Sequence, residues 1–372
     1  MELVINKVFN LFANCKLVKG HTRGVIYDLQ RNNIYPIPLS LVHILEQEGT
    51  TTFDKLLDTY GSENEETLQE YFAFLMEKEL IFFHDKPELF PPMSDFWDEP
   101  FEVTNSIIDF DEIRADRLTE IKQAIGTTPI KGVQIRIFKE VSLEELDLVL
   151  ATIKPVGLNS LELMLPYSEQ LSLEDLSALC LKYPYLFTVT IFNAPEEYHY
   201  SNGAFGLIFF SKDRALSEKS CGVILPDFFT INKKTYTESI DHNSCLNRKV
   251  SVDKKGNIKN CPSMTDSYGH VSDTSFKEAL SVPSFKQHWK LNKDKIHVCK
   301  DCEFRYICTD CRAYVENPND LRSKPLKCGY NPYTGEWTEW AKQPEKKATI
   351  AHYQLEELSL KNEEKEPEHF VT

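Results

Sequence analysis

The sequence predicts an α/β protein built from more than one folded unit. Its 372 residues exceed what a single ordinary hydrophobic core accommodates. Short β-rich runs and helical stripes fill residues 1–95, strands then alternate with helices over residues 96–240, and seven cysteines follow between residues 245 and 328. These patterns predict an N-terminal unit, a βα unit with a parallel sheet, and a cysteine-rich unit in residues 241–345.

Residues 1–95 are predicted to form a winged-helix-like domain, because three strand-like runs precede three helical stripes and a last apolar run returns as a strand. The strand-like runs are Lys16–Val18, Val25–Tyr27 and Ile34–Ile37, the stripes span Leu41–Leu45, Phe53–Tyr60 and Leu68–Met76, and the returning run is Leu80–Phe83. Pro36 predicts an edge position for the third run, since proline donates no ladder hydrogen bond.

The charge of this domain argues against nucleic-acid binding. The whole chain carries a formal net charge of −15, and up to His84 there are seven Lys and Arg against twelve Asp and Glu. The start of the third helix is acidic, at Glu63, Glu65, Glu66 and Glu70. Such a surface repels phosphate, whereas an edge of short strands suits the addition of a peptide as an extra strand. A helical cap without any ligand is the alternative.

Residues 96–240 are predicted to form repeated βα units after a proline-rich linker at residues 86–92. The predicted strands are Val133–Phe138, Leu161–Leu165, Phe187–Phe192, Leu207–Phe210 and Val223–Leu225. Ser142 with Glu145, and Ser172 with Asp175, have the spacing of capping boxes that open helices. This alternation predicts a parallel sheet, open or curled into part of a barrel. Residues 346–372 are predicted to be a flexible tail, because the last segment is rich in Glu and Lys.

The N-terminus has no basic flank followed by an apolar core, and no apolar run approaches the roughly 18 residues that span a bilayer. We therefore expect a cytoplasmic protein without a membrane partner. In that reducing compartment, ten cysteines favour metal binding over a disulfide scaffold.

The seven clustered cysteines predict two metal centres. Cys245 and Cys261 bracket a predicted hairpin whose Asp-Lys-Lys-Gly turn ends at Gly256. The other five are Cys299, Cys302, Cys308, Cys311 and Cys328, the first four spaced C-x2-C-x5-C-x2-C. Seven thiolates exceed what one tetrahedral ion or one four-iron cluster needs. Zinc is the alternative to iron–sulfur, but zinc ribbons usually separate their C-x2-C knuckles by about 15 to 20 residues.

This cysteine pattern, C-x10-G-x4-C followed by C-x2-C-x5-C-x2-C and a last C, resembles the SPASM domain that follows a radical SAM barrel in peptide-modifying enzymes. The segments at residues 302–313 and 260–264 are similar to the SPASM proteins of grasp-with-spasm systems. The resemblance implies a degenerate radical SAM-like partial barrel in residues 96–240 and two [4Fe–4S] clusters in residues 241–345. The N-terminal domain likewise resembles the element that captures leader peptides in ribosomal peptide biosynthesis.

The resemblance also implies a ligand set for each cluster. One cluster takes Cys299, Cys302, Cys308 and Cys328, and the other takes Cys245, Cys261 and Cys311. Cys221 or His242 completes the second set, unless an open iron faces the substrate; a strand-opening cysteine and a loop-packing histidine are the ordinary interpretations of these two residues. The implied function is peptide maturation with a precursor leader and an ATP-grasp ligase as partners. An independent redox enzyme and a zinc-stapled scaffold are the alternatives.

Two departures from the family pattern matter. Two residues separate Cys308 from Cys311, where SPASM domains commonly have three. The βα unit contains only Cys180 and Cys221, so it has neither the C-x3-C-x2-C loop of a radical SAM cluster nor a Gly-Gly-Glu segment. We therefore expect no S-adenosylmethionine chemistry. The chain also lacks a G-x4-G-K-S/T phosphate loop, which assigns ATP chemistry to a partner.

Overall fold

The computed structural model describes residues 6–201, 206–213 and 217–361. Its first elements are β1 (Val8–Leu11), β2 (Cys15–Lys19), β3 (Arg23–Asp28), β4 (Asn33–Pro38), α1 (Leu39–Leu45), α2 (Phe53–Tyr60), α3 (Glu65–Glu77) and β5 (Ile81–His84). Strands β2, β3 and β4 form an antiparallel sheet in that order, and β1 pairs with β5. The strands and helices that the sequence predicts here are present, and β1 is an addition that the apolar pattern did not reveal.

Strand β4 lies at the edge of the three-stranded sheet, as Pro36 predicted. Both faces of this sheet are covered, because successive side chains of a strand point to opposite sides. Ile26 packs into the core formed with α1, α2 and α3. Val25 and Tyr27 pack into a second core, which they share with Phe304 of the cysteine-rich segment. The sheet is therefore held between its own helices and the C-terminal part of the chain.

An eight-stranded, mostly parallel sheet forms the largest part of this mixed α/β fold. Its elements in chain order are β6 (Val103–Phe110), α4 (Ala115–Ile125), β7 (Ile130–Ile137), α5 (Leu143–Thr152), β8 (Ser160–Pro166), α6 (Leu173–Lys182), β9 (Leu186–Phe192), β10 (Tyr198–Ser201), β11 (Leu207–Phe210), α7 (Lys233–Asp241), β12 (Lys249–Val252) and β13 (Ile258–Lys259). The spatial order is β10-β11-β9-β8-β7-β6-β12-β13. Strands β11 to β12 run parallel, and the two outermost strands are antiparallel.

The two predicted capping boxes are present and open α5 and α6. Val223–Leu225, however, is not a strand, and that prediction is wrong. Ile224 makes only an isolated bridge to Cys328. Gly222 has a φ of +86° and Pro226 begins a short 3-10 turn, so the backbone is extended over too few residues to pair as a strand.

The eight-stranded sheet has one apolar face, which packs against helices, and one polar face. Helices α4, α5 and α6 share a single core with inward side chains such as Leu161, Leu163 and Leu165 of β8. On the other face, Gln134 donates to exposed Glu162 at 2.9 Å. The sheet also joins segments on both sides of residue 240, because β12 pairs in parallel with β6.

Beyond β13 the chain has little regular structure. The remaining elements are α8 (Phe276–Ser281), β14 (Tyr330–Asn331), β15 (Glu336–Trp337), α9 (Lys347–His352) and α10 (Glu356–Lys361). Ile350 and Leu355 are buried in a core with Cys311, so the folded chain continues into the range predicted to be a tail. Residues 362–372 of that range lie outside the described residues. No helix in the described part of the chain is long and apolar enough to cross a membrane.

Candidate metal centres

Four thiols gather where the polar face of the large sheet meets the cysteine-rich segment, and we call them the first thiol group: Cys221, Cys245, Cys261 and Cys311. Cys245 and Cys221 both act electrostatically on the thiols of Cys261 and Cys311. A Cβ atom added to Gly222 would lie 2.8 Å from the Cys311 sulfur, so this glycine lets the backbone beside Cys221 approach Cys311 closely. The β12–β13 hairpin, with Gly256 at a φ of +90°, lies between Cys245 and Cys261 as predicted.

The other four thiols form the second thiol group: Cys299, Cys302, Cys308 and Cys328. Cys299 is affected electrostatically by Cys328 and Cys308, and Cys302 by Cys299 and Cys308. Cys302, Cys308 and Cys328 of this group pack with Phe304, Ile307 and Tyr330 in the core that reaches the N-terminal sheet. Val298, directly before Cys299, has a φ of +66°. A β-branched residue adopts that conformation only where its surroundings impose it, at a cost of about 1 to 3 kcal/mol.

Burial dominates the acid–base properties of four of these thiols, Cys261, Cys299, Cys308 and Cys311. Loss of solvent raises the pKa of Cys261 and of Cys308 to about 11, and that of Cys299 and of Cys311 to about 12. Neighbouring thiols raise these pKa values further, because two thiolates close together repel each other. The metal-free protein therefore holds these sulfurs as thiols at neutral pH, and a metal must displace their protons on binding.

The structure distinguishes between the two candidates for the eighth position. Cys221 is exposed and lies in the first thiol group. His242 instead packs its ring 5.3 Å from that of Trp97, and burial lowers the pKa of its imidazole. The structure therefore places Cys221 beside Cys261 and Cys311, whereas the ring of His242 packs against Trp97.

Two sets of four thiols match the donor set of two [4Fe–4S] clusters. Within the described residues, no three His, Cys, Asp or Glu side chains are gathered tightly enough to hold one metal ion. A single tetrahedral zinc ion would draw four sulfurs to within about 3.8 Å of one another. A four-iron cluster is larger than a single ion, so the cysteine sulfurs that bind it lie farther from one another. A [4Fe–4S] cluster bound there would supply one-electron transfer.

A hairpin of the N-terminal unit contacts the loop that carries the second thiol group. The His21 N–H donates to the Asp301 carbonyl at 2.9 Å. Arg23 Nε donates to the carboxylate of fully buried Glu303 at 2.7 Å, and the Tyr330 hydroxyl donates to the same carboxylate oxygen. Because Glu303 follows Cys302 directly, the β2–β3 turn and the second thiol group share one polar network.

The polar face of the large sheet borders the first thiol group. Asp109 of β6 and Arg136 of β7 are paired in register, and Arg136 makes two hydrogen bonds of 2.7 Å to the Asp109 carboxylate. Both residues are buried. The thiols of Cys221 and Cys261 act electrostatically on this guanidinium. The polar residues of the sheet are thus continuous with the candidate metal centre.

Several site residues were missed at the sequence level. Lys249 and Lys293 are buried with their ammonium groups against thiols, and Glu303 is buried without solvent contact. For Lys249, the one available signal was its position directly before the alternating apolar residues of the predicted hairpin. Nothing in the sequence distinguished Lys293 or Glu303 from surface residues of a loop.

Comparisons with known proteins give little further information. No protein-family model and no curated protein matches the chain. It is similar to the solved structure of Streptococcus suis SuiB bound to S-adenosylmethionine, with 7% identity and a TM-score of 0.32 over 85% of this chain and 98% of that chain. SuiB bound to its precursor peptide SuiA matches with 7% identity and a TM-score of 0.28, over 82% and 96% of the two chains. At these TM-scores the likeness is remote.

Proposed function

We propose that this chain is an iron–sulfur protein that binds a ribosomally synthesised precursor peptide and takes part in its maturation. The observation that carries the proposal is the gathering of eight cysteines into two sets of four. These sets agree with the ligand assignment implied by the SPASM-like spacing. In this proposal the first thiol group holds one [4Fe–4S] cluster and the second thiol group holds the other.

The proposal assigns a role to each segment. Residues 1–95 are the winged-helix-like recognition domain, residues 96–240 the degenerate radical SAM-like unit, and residues 241–345 the SPASM iron–sulfur domain. An ATP-grasp ligase is the proposed partner, because this chain has no phosphate-binding glycine loop of its own. The βα unit would then serve as a platform for the peptide rather than as a generator of radicals.

The hydrogen-bond pattern of the N-terminal sheet indicates how β4 would receive a peptide strand. The Gly20 N–H bonds to the Arg23 carbonyl and the Leu29 N–H to the Asn14 carbonyl. Bonded pairs alternate along an antiparallel ladder, so the backbone groups of Val25 point toward β2. Its β4 partner, Pro36, therefore points outward, together with Ile34.

The outer edge of β4 is consequently rich in acceptors and poor in donors. Pro36 has no N–H, and the Ile34 N–H already donates to the Asn33 side chain at 2.9 Å. Helix α3 lies beside this edge, because Phe74 packs its ring against Tyr35. Glu70 is four residues before Phe74 and shares its face of the helix. An edge of free carbonyls beside an acidic helix suits a basic peptide that donates its own backbone N–H groups.

Metal analysis of the reconstituted protein tests the first half of the proposal. Anaerobic reconstitution with iron and sulfide is expected to yield about eight iron and eight sulfide per chain, as two four-iron clusters require. Visible and EPR spectra should show the charge-transfer bands and reduced-cluster signals. Stoichiometric zinc without charge-transfer absorption would instead identify the zinc-stapled scaffold.

Peptide titration tests the second half. The full-length protein is titrated with a candidate precursor peptide that contains its leader, and with the same peptide lacking the leader. Binding should require the leader and weaken only modestly with salt, since strand pairing is screened less than ion pairing.

Reversing one charge on α3 locates the peptide. Glu70→Lys should weaken binding of a basic leader about fivefold, a cost of about 1 kcal/mol for an exposed charge. Glu65→Lys is the matched control, because Glu65 lies about half a turn away from the Phe74 face. Equal effects of the two variants would exclude this edge. Iron–sulfur clusters without any peptide binding would favour the independent redox enzyme.

A further inference from the structure

Each thiol group has one buried ammonium group in contact with a sulfur. Lys249 Nζ lies 3.5 Å from the Cys245 sulfur in the first thiol group. Lys293 Nζ lies 3.3 Å from the Cys308 sulfur in the second. The two lysines are only 8% and 3% exposed, so water screens neither charge. The same arrangement therefore occurs twice, on unrelated segments of the chain.

Neither ammonium group has a carboxylate of its own. Within the described chain, no carboxylate oxygen lies within 4.0 Å of Lys249. The nearest carboxylate to Lys293 is Asp310 at 3.8 Å, and Arg312 already pairs with that carboxylate at 2.6 Å. Lys293 and Arg312, two buried cations, therefore share the single carboxylate of Asp310.

Two other buried lysines of this chain have a carboxylate within reach and share it. Lys324 and Lys346 are both paired with Glu316, at 3.7 and 3.0 Å. A buried and unpaired charge is costly, and proteins normally provide a partner for it. The partners that remain for Lys249 and Lys293 are the sulfur atoms of the two thiol groups. These sulfurs become anionic when they bind a cluster as thiolates.

We propose that Lys249 and Lys293 are the electrostatic partners of the two clusters, each donating a charge-assisted hydrogen bond to one ligand sulfur and raising the reduction potential of that cluster. The inference rests on the proposed function, since it requires the clusters to be present. A cation and a hydrogen bond at the sulfur both favour the more negative, reduced cluster. Both lysines are positioning residues, because they act through Cys245 and Cys308.

Lys327 is a third buried lysine near the first thiol group, but its contacts are different. It donates to the carbonyls of Lys219 and Cys221, the latter at 2.8 Å, and lies over the Tyr314 ring. Burial lowers the pKa of this ammonium to about 8. Because Lys327 contacts no sulfur, it is outside the proposal.

The test measures the potentials of both clusters in the full-length, reconstituted protein, by titration with dithionite and redox mediators monitored by EPR. Lys249→Met should disfavour reduction of one cluster about tenfold, which is a 59 mV decrease for a one-electron couple, and Lys293→Met should shift the other cluster alike. Lysine-to-arginine variants should keep both potentials near the wild-type values. Lys324→Met is the matched control, because Lys324 is a buried lysine that donates to the Tyr330 carbonyl and contacts no sulfur, and it should shift neither potential.

The outcomes separate the inference from the proposed function. Wild-type protein without iron and sulfide would contradict the proposed function itself. Clusters whose potentials are unchanged in both methionine variants would overturn the inference and leave the proposed function intact. If a methionine variant fails to load, selective loss of one cluster with rescue by arginine supports the inference. Loss of both clusters without rescue by arginine would overturn it, because the lysine would then be needed only for folding.

Discussion

Replacing Arg23 by alanine is expected to release the β2–β3 turn from the loop of the second thiol group. The substitution removes the guanidinium that donates to Glu303 at 2.7 Å and leaves a fully buried carboxylate without its cation. Removing one partner of a buried pair costs about 3 to 5 kcal/mol. The Arg23 side chain is 33% exposed and Tyr330 keeps its bond to Glu303, so we expect about 2 to 3 kcal/mol.

Hydrogen exchange at the His21 amide measures this loss directly. That N–H donates to the Asp301 carbonyl across the contact at 2.9 Å, so its exchange requires the turn to separate from the loop. A loss of about 2 to 3 kcal/mol corresponds to exchange about 30- to 150-fold faster. Arg114→Ala is the control, because the pair of Arg114 with Asp116 is exposed and contributes little.

A double variant, Arg23→Ala with Glu303→Gln, should recover part of the protection, since no buried charge is then left unpaired. An unchanged exchange rate at His21 in Arg23→Ala would refute the reasoning. So would an equal acceleration in Arg114→Ala, because the effect would then be general rather than local to the contact.

Three further predictions follow from the site and the core. Cys221→Ala should lower the iron and sulfide content of the reconstituted protein by up to about half, since Cys221 lies in the first thiol group. His242→Ala should leave both contents near the wild-type values. The reverse result would identify His242 as the eighth ligand. The reconstituted protein should release no 5′-deoxyadenosine from S-adenosylmethionine under reducing conditions, because the βα unit lacks the three-cysteine loop, and release above a no-protein control would contradict this. Burial lowers the pKa of His288, so the stability due to its neutral form is fully present above about pH 6.5 and is lost as the pH falls through that value. His288→Gln should therefore flatten the decline of the free energy of unfolding between pH 7 and 5, whereas the exposed-site control His199→Gln should not; equal slopes in both variants would exclude His288 as the cause.

Features encoded by neighbouring residues were predictable from the sequence. The capping boxes at Ser142 and Ser172 depend on residues three positions apart, and both are present. Pro36 predicted an edge strand because the missing N–H is a property of the residue itself. Gly256 predicted the turn of the β12–β13 hairpin for a similar reason, since glycine adopts a positive φ at little cost.

Features that depend on distant pairing needed the tertiary structure. Val223–Leu225 has the composition of a strand, but Gly222 and Pro226 confine its pairing to one bridge at Ile224. The predicted hairpin did not indicate that β12 pairs with β6, about 145 residues away in sequence, and so extends the large sheet. The alternation of apolar and polar residues determines which face of a strand is buried, but it does not determine which strand lies beside it.

The cysteine spacing by itself predicted two centres and seven of the thiols now found in the two groups, because C-x2-C pairs and a hairpin act over short distances. Only the tertiary structure revealed that Cys221 lies beside the other thiols of the first group and that His242 packs against Trp97. It alone also revealed that Lys249 and Lys293 are buried against sulfur without a carboxylate of their own. The physical reason is that burial and charge balance are set by every segment packed around a residue, whereas spacing is set by the residues next to it in the chain.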